Sequence, residues 1–254
     1  MATTFRYDKT FEGLLNVVFD AYVRKEFPEA LIGEEEPEPM FSQRMHKVYT
    51  DTGKAERVWK SFRKKTDRRT RNMIMHVWLS EEPHSDELIF RYICKTFNSQ
   101  HPIAGNFTDP DILEIKQIAM KVAREGEHVR QFIRFQKGGD GTFFAPTAPK
   151  YNVLPLAINY LKERFADQKW LVYDTKRHYG YYYDLQKVQE VTLEDDSHLI
   201  SGKLDETLLS QDEKLFQEMW RSYFKAITIK ERINPKLQRQ NMPRRFWKYL
   251  TEKQ

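Results

Sequence analysis

The chain has 254 residues, of which 40% are hydrophobic and 14% aromatic, and this composition excludes an intrinsically disordered protein. The formal net charge is +5, and the single cysteine, Cys94, excludes an internal disulfide and any cysteine-based zinc or iron–sulfur site built by this chain alone. The N-terminus lacks the apolar core of a signal peptide, and no apolar run approaches the ~18 residues of a membrane span. We therefore expect a cytoplasmic protein with no membrane partner.

Positive charge is concentrated in two segments. Residues 54–71 carry nine lysines and arginines against two carboxylates, a net charge of +7, and residues 230–253 carry eight against two, a net charge of +6. Either segment exceeds the excess of the whole chain, so the remainder is net acidic. This asymmetry fits a surface that receives phosphates, and it equally fits two solvated helix faces.

The first half of the chain is predicted to be mainly helical. Thr3–Tyr7 is predicted as a short strand, and apolar residues then recur at helical spacing from Phe11 to Val23. Four further helices are predicted, near residues 54–65, 69–80 and 85–97 and at the Asp109-Pro110 pair, which suits a helix start. Cys94 lies in the apolar pattern of the third helix, so we expect a buried structural thiol rather than a nucleophile.

The middle of the chain has the pattern of β-hairpins. Val129–Gln136 and Thr142–Thr147 are rich in strand-forming residues and flank a glycine turn. A helix that Asn152 can cap follows, and Trp170–Asp174 with Gly180–Val191 predicts a second hairpin. The order hairpin, helix, hairpin predicts an antiparallel sheet with a helix on one face, and therefore an α+β fold.

A single domain is expected over residues 1–254. Its predicted parts are a helical part at about 1–125, a sheet unit at about 127–195 and basic C-terminal helices at about 205–254. The last part opens with an amphipathic stretch from Asp212 to Ala226.

The densest polar stretch of the chain is REGEHVRQFIRF. On a strand, alternation would place Arg130, Phe132 and Arg134 on one face, where guanidinium groups and a ring could hold a phosphate backbone and stack a base. An ordinary solvent face with one exposed ring explains the pattern as well. Glu127 and His128, just upstream, are candidates for an acid, a base or a metal ligand, or for a charge cluster at a helix end.

A second stretch, YDTKRHYGYYYD, holds five tyrosines. Exposed tyrosines beside cations suit stacking against unpaired bases, which makes Arg177, Tyr179 and Tyr181 candidate nucleic-acid contacts. The strand propensity of tyrosine is the simpler account of the same pattern. Asp174 is a candidate to assist Glu127 and His128 in proton chemistry.

The C-terminal segment surrounds aromatic rings with cations. If NMPRRFWKYL is helical, Phe246 and Leu250 form the inward stripe and the cations point outward, which gives an ordered basic surface. The candidate phosphate contacts here are Arg239, Arg244, Arg245 and Lys248.

Several spaced stretches resemble, in order, the signatures of a bacterial domain-of-unknown-function family that is described as DNA repair or DNA metabolism proteins. These stretches are RYDKTFEGLLNVVFDAY, EGEHVRQFIRF, WLVYDTKRHYGYYYD and MWRSYFKAITIKERINPKLQRQNMPRRFW. Members of that family are typically encoded beside an uncharacterised radical-SAM protein, and some are fused to a uracil-DNA-glycosylase-like domain. The resemblance implies DNA as substrate context and a two-protein system, and no reaction. The family pattern Glu-x-His-x-x-x-Phe-x-Arg-Phe falls on Glu125/Glu127, His128, Phe132, Arg134 and Phe135, with glycine at the position two residues before His128. Gln131 and Ile133 stand in place of the expected Gly and Val.

The leading hypothesis is therefore a DNA-binding protein of repair or modification that acts as partner of a radical-SAM enzyme. Single-stranded or damaged duplex DNA would be the ligand, residues 57–71 and the tail would contact phosphates, and the chain would need no cofactor and no metal of its own. Two alternatives stay open. The chain could be a DNA-processing hydrolase or glycosylase, with proton chemistry on Glu127, His128 and Asp174. It could also be a protein–protein scaffold whose basic segments dock on an acidic partner.

Overall fold

The computed structural model of the protein describes residues 3–38, 44–194 and 208–253. The chain divides into two compact units, Met1–Val122 and Ala123–Gln254. Each unit contains both helices and strands, which confirms the α+β class. Within the described ranges, every helix is too short or too polar to cross a bilayer.

The first unit combines a small sheet with helices. Its elements in chain order are β1 (Thr3–Tyr7), α1 (Phe11–Arg24), β2 (Ala30–Gly33), β3 (Arg44–Lys47), α2 (Thr52–Lys65), α3 (Arg68–Trp78) and α4 (Ser85–Asn98), followed by α5 (Pro110–Phe132), which contains the boundary between the units. The predicted strand and the predicted helices are confirmed, with boundaries that differ by a few residues.

The sheet of the first unit was not predicted. β1 is its central strand and pairs in parallel with both β2 and β3. Phe5 of β1 lies opposite Leu31 on one side and His46 on the other. Most of β1 is buried, as a central strand between two neighbours requires. The two outer strands have four residues each, too few to give a clear periodic pattern in the sequence.

Helices α2 and α3 begin at aspartate caps that the sequence supplies. The Asp51 carboxylate accepts a hydrogen bond from the Lys54 amide at 2.8 Å, and the Asp67 carboxylate accepts one from the Thr70 amide at 2.7 Å. Such caps satisfy amides that the first helical turn leaves unpaired. Phe62 is fully buried and fixes the inward side of α2, so the many cations of this helix lie on its outer side.

The second unit is built around a larger sheet. After the end of α5 its elements are β4 (Gln136–Lys137), β5 (Phe143–Thr147), α6 (Leu154–Arg164), β6 (Trp170–Asp174), β7 (Tyr179–Tyr183), β8 (Val188–Val191), α7 (Glu213–Ile227), α8 (Pro235–Asn241) and the 3-10 helices Lys230–Arg232, Arg244–Tyr249 and Thr251–Lys253. The sheet order is β4-β5-β6-β7-β8.

The prediction of an antiparallel sheet made from two hairpins is wrong. β6 and β7 pair antiparallel at the predicted place, but β5 and β6 run parallel, so the sheet is mixed. The reason is the helix between them, since α6 returns the chain to the starting end of the sheet before β6 begins. The first hairpin is also reduced to a β4 of two residues.

The predicted strand at 129–135 is wrong because α5 continues through Phe132. Val122, Glu125, Val129 and Phe132 are all buried, and their spacing of three or four residues extends the inward stripe of α5. This helical period outweighs the strand propensity of the local run. The single glycine inside the helix, Gly126, costs only about 1 kcal/mol of helix stability.

The C-terminal aromatic residues are anchors, as predicted. Phe246 is 2% exposed and Leu250 is fully buried, although the turn that carries Phe246 is a 3-10 helix rather than an α-helix. Tyr249 is buried too, and the Trp247 indole donates to the Met242 carbonyl at 3.0 Å. The tail is therefore held to the second unit by its rings.

Candidate nucleic-acid interface

Five exposed cations form what we call the α2–α3 basic surface. Its members are Lys60, Arg63, Lys64, Arg68 and Arg69. Within the described ranges of the chain, none of the five takes part in an ion pair. Lys60, Arg63 and Lys64 are spaced by three and four residues on α2 and therefore lie on one side of that helix. Their charged groups are therefore exposed to an anionic ligand.

Other cations of the 54–71 segment have structural partners. The Lys65 ammonium donates to the carbonyl oxygens of Phe97 at 2.8 Å and Ser99 at 2.9 Å, at the C-terminal end of α4. Those carbonyls have no partner within their own helix, and a cation there also offsets the helix dipole. Arg71 donates in the same manner to the Thr66 carbonyl. Part of the charge predicted to contact phosphates therefore stabilises the fold instead.

A groove of about 430 Å³, the α1–α2 groove, lies beside this surface. Its lining residues are Val18, Phe19, Tyr22, Val23, Arg57, Val58, Ser61 and Phe97. The Arg57 guanidinium lies 5.3 Å from the centre of the Phe19 ring. Lys60 and Lys64 follow Arg57 and Ser61 by three residues and are therefore their neighbours on α2. Aromatic rings next to a row of cations are the combination that holds bases and phosphates of a single strand.

In the second unit, the stretch EGEH at residues 125–128 builds a buried cluster around Glu125. The Glu125 carboxylate accepts two hydrogen bonds from Arg245 and one from the Lys150 amide at 2.7 Å, and it lies 3.5 Å from His128 Nδ1. Burial alone would raise the pKa of Glu125, but the Arg245 guanidinium and the Lys150 amide hold that pKa below its ordinary value. Arg245 therefore joins the tail to α5, and its charge is compensated.

His128 packs between rings. It stacks on Phe132 at 5.8 Å and meets Phe246 edge-on at 6.0 Å, and only 8% of its surface is exposed. Burial lowers the pKa of His128, with Glu125 opposing that shift. These contacts are those of a core residue that ties α5 to the tail, and they leave little room for a substrate.

Replacing His128 should change how stability depends on pH. The unfolded chain binds a proton at this side chain near the ordinary pKa of 6.5, whereas burial lowers the pKa in the folded chain. Because the unfolded state then binds more protons, the stabilising contribution is complete above pH 6.5 and falls as the pH drops through that value. Urea unfolding from about pH 7 to about pH 5 should show wild type losing free energy relative to His128→Gln. If the difference in unfolding free energy between wild type and His128→Gln stays constant over this pH range, burial does not lower the pKa of His128.

Asp174, a predicted catalytic residue, is fully buried and fully bonded. Its carboxylate accepts from Arg177 Nη1 at 2.8 Å and from the Lys176 amide at 2.9 Å. Arg177 also donates to the carbonyls of Pro149 and Lys150. The pair therefore closes the β6–β7 turn and holds the loop that follows β5, so neither partner is presented to a ligand.

The predicted face of Arg130, Phe132 and Arg134 does not exist. Arg130 lies in α5 and forms an ion pair with Glu127 at 2.8 Å, which places that predicted acid in an exposed surface pair. Phe132 is 9% exposed and has no surface for a base. Arg134 pairs with the buried Glu252 carboxylate at 2.8 Å. The three side chains stabilise the second unit in three different places.

The tyrosine stretch is half-buried on β7. The Tyr179 hydroxyl donates to the Asn152 side chain, so Asn152 bonds to the sheet while α6 begins after Val153 without a side-chain cap. The Tyr179 and Tyr181 rings meet edge-on at 5.7 Å. Burial, and then the nearby Glu190 carboxylate, raises the pKa of Tyr181 to about 12. These tyrosines are held by the sheet and retain a partly accessible side.

All four predicted tail cations are exposed, and Arg245 is the one that pairs with Glu125. The other three are Arg239, Arg244 and Lys248. The Arg244 guanidinium lies 5.8 Å from the centre of the Trp247 ring, and the Lys248 ammonium lies 4.7 Å from that of Tyr249. In each contact the ring attracts the cation and helps to hold it in place. This tail surface is the second place where the chain presents ordered positive charge.

The part of the chain that the structure describes shows neither a reactive cysteine nor a metal-binding cluster. Cys94 is buried, and burial raises its pKa to about 12, so the thiol stays protonated as expected of a structural residue. Among the same residues, no group of three or more histidine, cysteine, aspartate or glutamate side chains is arranged to hold a metal ion.

The chain matches a model of a known protein family. A family model described as a domain of unknown function, DUF4130, covers residues 83–252, which is more than half of the chain. The chain belongs to the DUF4130 family. No curated protein and no solved structure matches it.

The DUF4130 match begins shortly before α4 and includes both buried ion-pair clusters. The Glu125 and Asp174 clusters and the anchored tail therefore belong to the DUF4130 part of the chain. The α2–α3 basic surface and most of the α1–α2 groove precede residue 83. Arguments for ligand binding on that surface consequently rest on its own residues, because the DUF4130 description states no function.

Sequence reasoning missed the α1–α2 groove. Phe19, Tyr22 and Val23 belong to the apolar run at helical spacing that the sequence shows, but Val23 is 66% exposed and all three line the groove. One signal could have revealed it. The apolar positions of α1 cover a wider arc than one buried face needs, so some of them had to reach the surface.

Proposed function

We propose that the chain is a DNA-binding protein of DNA repair or modification, that it prefers single-stranded DNA or the unpaired bases of a damaged duplex, and that it acts beside a radical-SAM enzyme. The α2–α3 basic surface carries the proposal, because its five exposed cations lie next to an aromatic groove. Phosphates would lie along Lys60, Arg63 and Lys64. Bases would stack against rings such as Phe19.

The setting in repair and the radical-SAM partner are supported by the resemblance described above. The chemistry of this chain supports a role in binding, with the iron–sulfur chemistry in the partner. A chain with one buried cysteine supplies no ligand set for an iron–sulfur cluster, so cluster chemistry would belong to the partner. Of the three residues first considered for catalysis, His128 and Asp174 are buried in structural contacts and Glu127 lies in an exposed surface ion pair, which favours binding over catalysis by this chain.

Salt-titrated binding tests the proposal. Five phosphate contacts on a single strand predict that log K falls against log salt with a slope of about −3.5, and a duplex of the same sequence should bind more weakly. The purified full-length chain and an oligonucleotide of about 20 nucleotides, measured by anisotropy between about 50 and 300 mM salt, give both quantities. Binding that is absent at low salt, or indifferent to salt, rejects DNA binding. Co-purification of a protein partner that survives nuclease treatment, with no DNA retained, would favour the scaffold instead.

A further inference from the structure

Helix α7 exposes the apolar side that an amphipathic helix normally buries. Its exposed fractions are 57% for Leu215, 59% for Phe216, 57% for Met219, 56% for Tyr223 and 55% for Ile227. Of all its residues only Glu213 is buried. A contiguous apolar surface of this kind is characteristic of a protein–protein contact site.

The exposed surface continues into a groove. Between α7 and α8 lies a depression of about 530 Å³, the α7–α8 groove, whose apolar walls are Phe224, Ile227, Ile229, Ile233 and Leu237. The 3-10 helix Lys230–Arg232 and the Asn234 cap of α8 set the turn between its two walls. Four aliphatic side chains and one ring fit the apolar stripe of a docked helix, whereas nucleic-acid bases prefer aromatic platforms.

Charge identifies the kind of partner. Arg232 and Lys253 line the groove, and among its described lining residues none is a carboxylate. From Glu213 to Asn241 the chain carries seven lysines and arginines against three glutamates, a net charge of +4. A second copy of the chain would bring two such segments together and be repelled, while an acidic surface would be attracted.

We propose that the α7–α8 groove is a docking site for an amphipathic helix of a partner protein, whose apolar side chains enter between Ile233 and Leu237 and whose carboxylates face Arg232 and Lys253. The site is independent of the proposed DNA contacts on α2 and α3. Loss of one function by mutation should therefore leave the other intact.

A designed peptide tests the site. The probe is a labelled helix of about 18 residues with leucine at positions i, i+3, i+4 and i+7 and glutamate on the other side. It should bind the full-length chain saturably, and a peptide with lysine in place of every glutamate should bind more weakly by about tenfold or more. Equal binding of the two peptides, or no saturable binding of the acidic one, overturns the proposal.

Two groove variants and one matched control locate the binding. Ile233 and Leu237 are more than half exposed, so Ile233→Asp and Leu237→Asp should fold normally, and each should weaken the acidic peptide by about tenfold or more. Met120→Asp makes the same change at a residue that is 63% exposed on α5 and should leave peptide affinity unchanged. Unaltered affinity in the groove variants contradicts the site.

The same variants would reveal a different ligand of the α7–α8 groove. A dimer in sedimentation experiments that Leu237→Asp converts to a monomer would assign the groove to a second copy and overturn the partner. Loss of single-stranded DNA binding in Leu237→Asp would assign it to nucleic acid, with the same consequence. Failure of the peptide experiments alone leaves DNA binding through Lys60, Arg63 and Lys64 untouched.

Discussion

Replacing Lys60, Arg63 and Lys64 with alanine in one variant should lower affinity for single-stranded DNA on the order of 10- to 100-fold at low salt. With three fewer phosphate contacts, binding releases fewer counterions from the DNA. The slope of log K against log salt should therefore become shallower by about 2. The three side chains are exposed and lie in no ion pair among the described residues. The free energy of unfolding should accordingly change by less than about 0.5 kcal/mol.

A matched variant separates local contacts from total charge. Lys162, Lys169 and Lys187 are exposed lysines of the second unit, and their replacement with alanine removes the same three charges. This variant should keep nearly the wild-type salt slope. If both variants lose affinity equally, the effect reflects net charge alone, and the α2–α3 basic surface is not the binding site.

The elements that present the basic surface could be predicted from the sequence because their signals are local. Asp51 and Asp67 each precede a helix by one residue, and each caps it through an amide three residues on. The inward positions of α2, such as Phe62, follow the helical period in the sequence. Caps and periodicity act within a few residues of each other, so they can be recognised without knowledge of the tertiary structure.

The partners of the arginines could not be predicted, because they are remote along the chain. Arg245 bonds to Glu125 across 120 residues, and Arg134 bonds to Glu252 across 118. A sequence shows each cation as an unpaired charge, and only the tertiary fold decides whether a carboxylate meets it. The positive charge of a segment is therefore an upper limit to the charge that it offers a ligand.

Local strand propensity misled at one point. The run after His128 is rich in strand-forming residues, yet Val129 and Phe132 continue the buried side of α5. The helical spacing of the buried residues continues from the first part of α5, and the error came from judging residues 129–135 without the residues before them. The apolar stripe of α7, in contrast, was recognised correctly from the sequence. Such a stripe indicates a contact surface, but the sequence does not show which molecule makes the contact.

Replacing Asp174 with asparagine should destabilise the protein by about 3 kcal/mol, the largest stability effect that we expect from a single change. Asp174 is fully buried, and its charge compensates the guanidinium of Arg177, whose side chain is 10% exposed. Asparagine keeps the shape but removes the buried negative charge, and with it the charge-assisted hydrogen bond from Arg177 Nη1. Urea unfolding measures the change.

The control is Glu127→Gln, which removes an exposed carboxylate instead of a buried one. Glu127 pairs with Arg130 three residues away, but its side chain is 57% exposed, so water already screens the interaction. Its loss should cost less than about 0.5 kcal/mol. Both residues were candidates for proton chemistry on sequence grounds. If Asp174 has a structural role and Glu127 does not, Asp174→Asn should lower the free energy of unfolding several times more than Glu127→Gln. A destabilisation by Asp174→Asn as small as that of Glu127→Gln would show that the buried pair does not hold the β6–β7 turn, and it would reopen Asp174 as a catalytic residue.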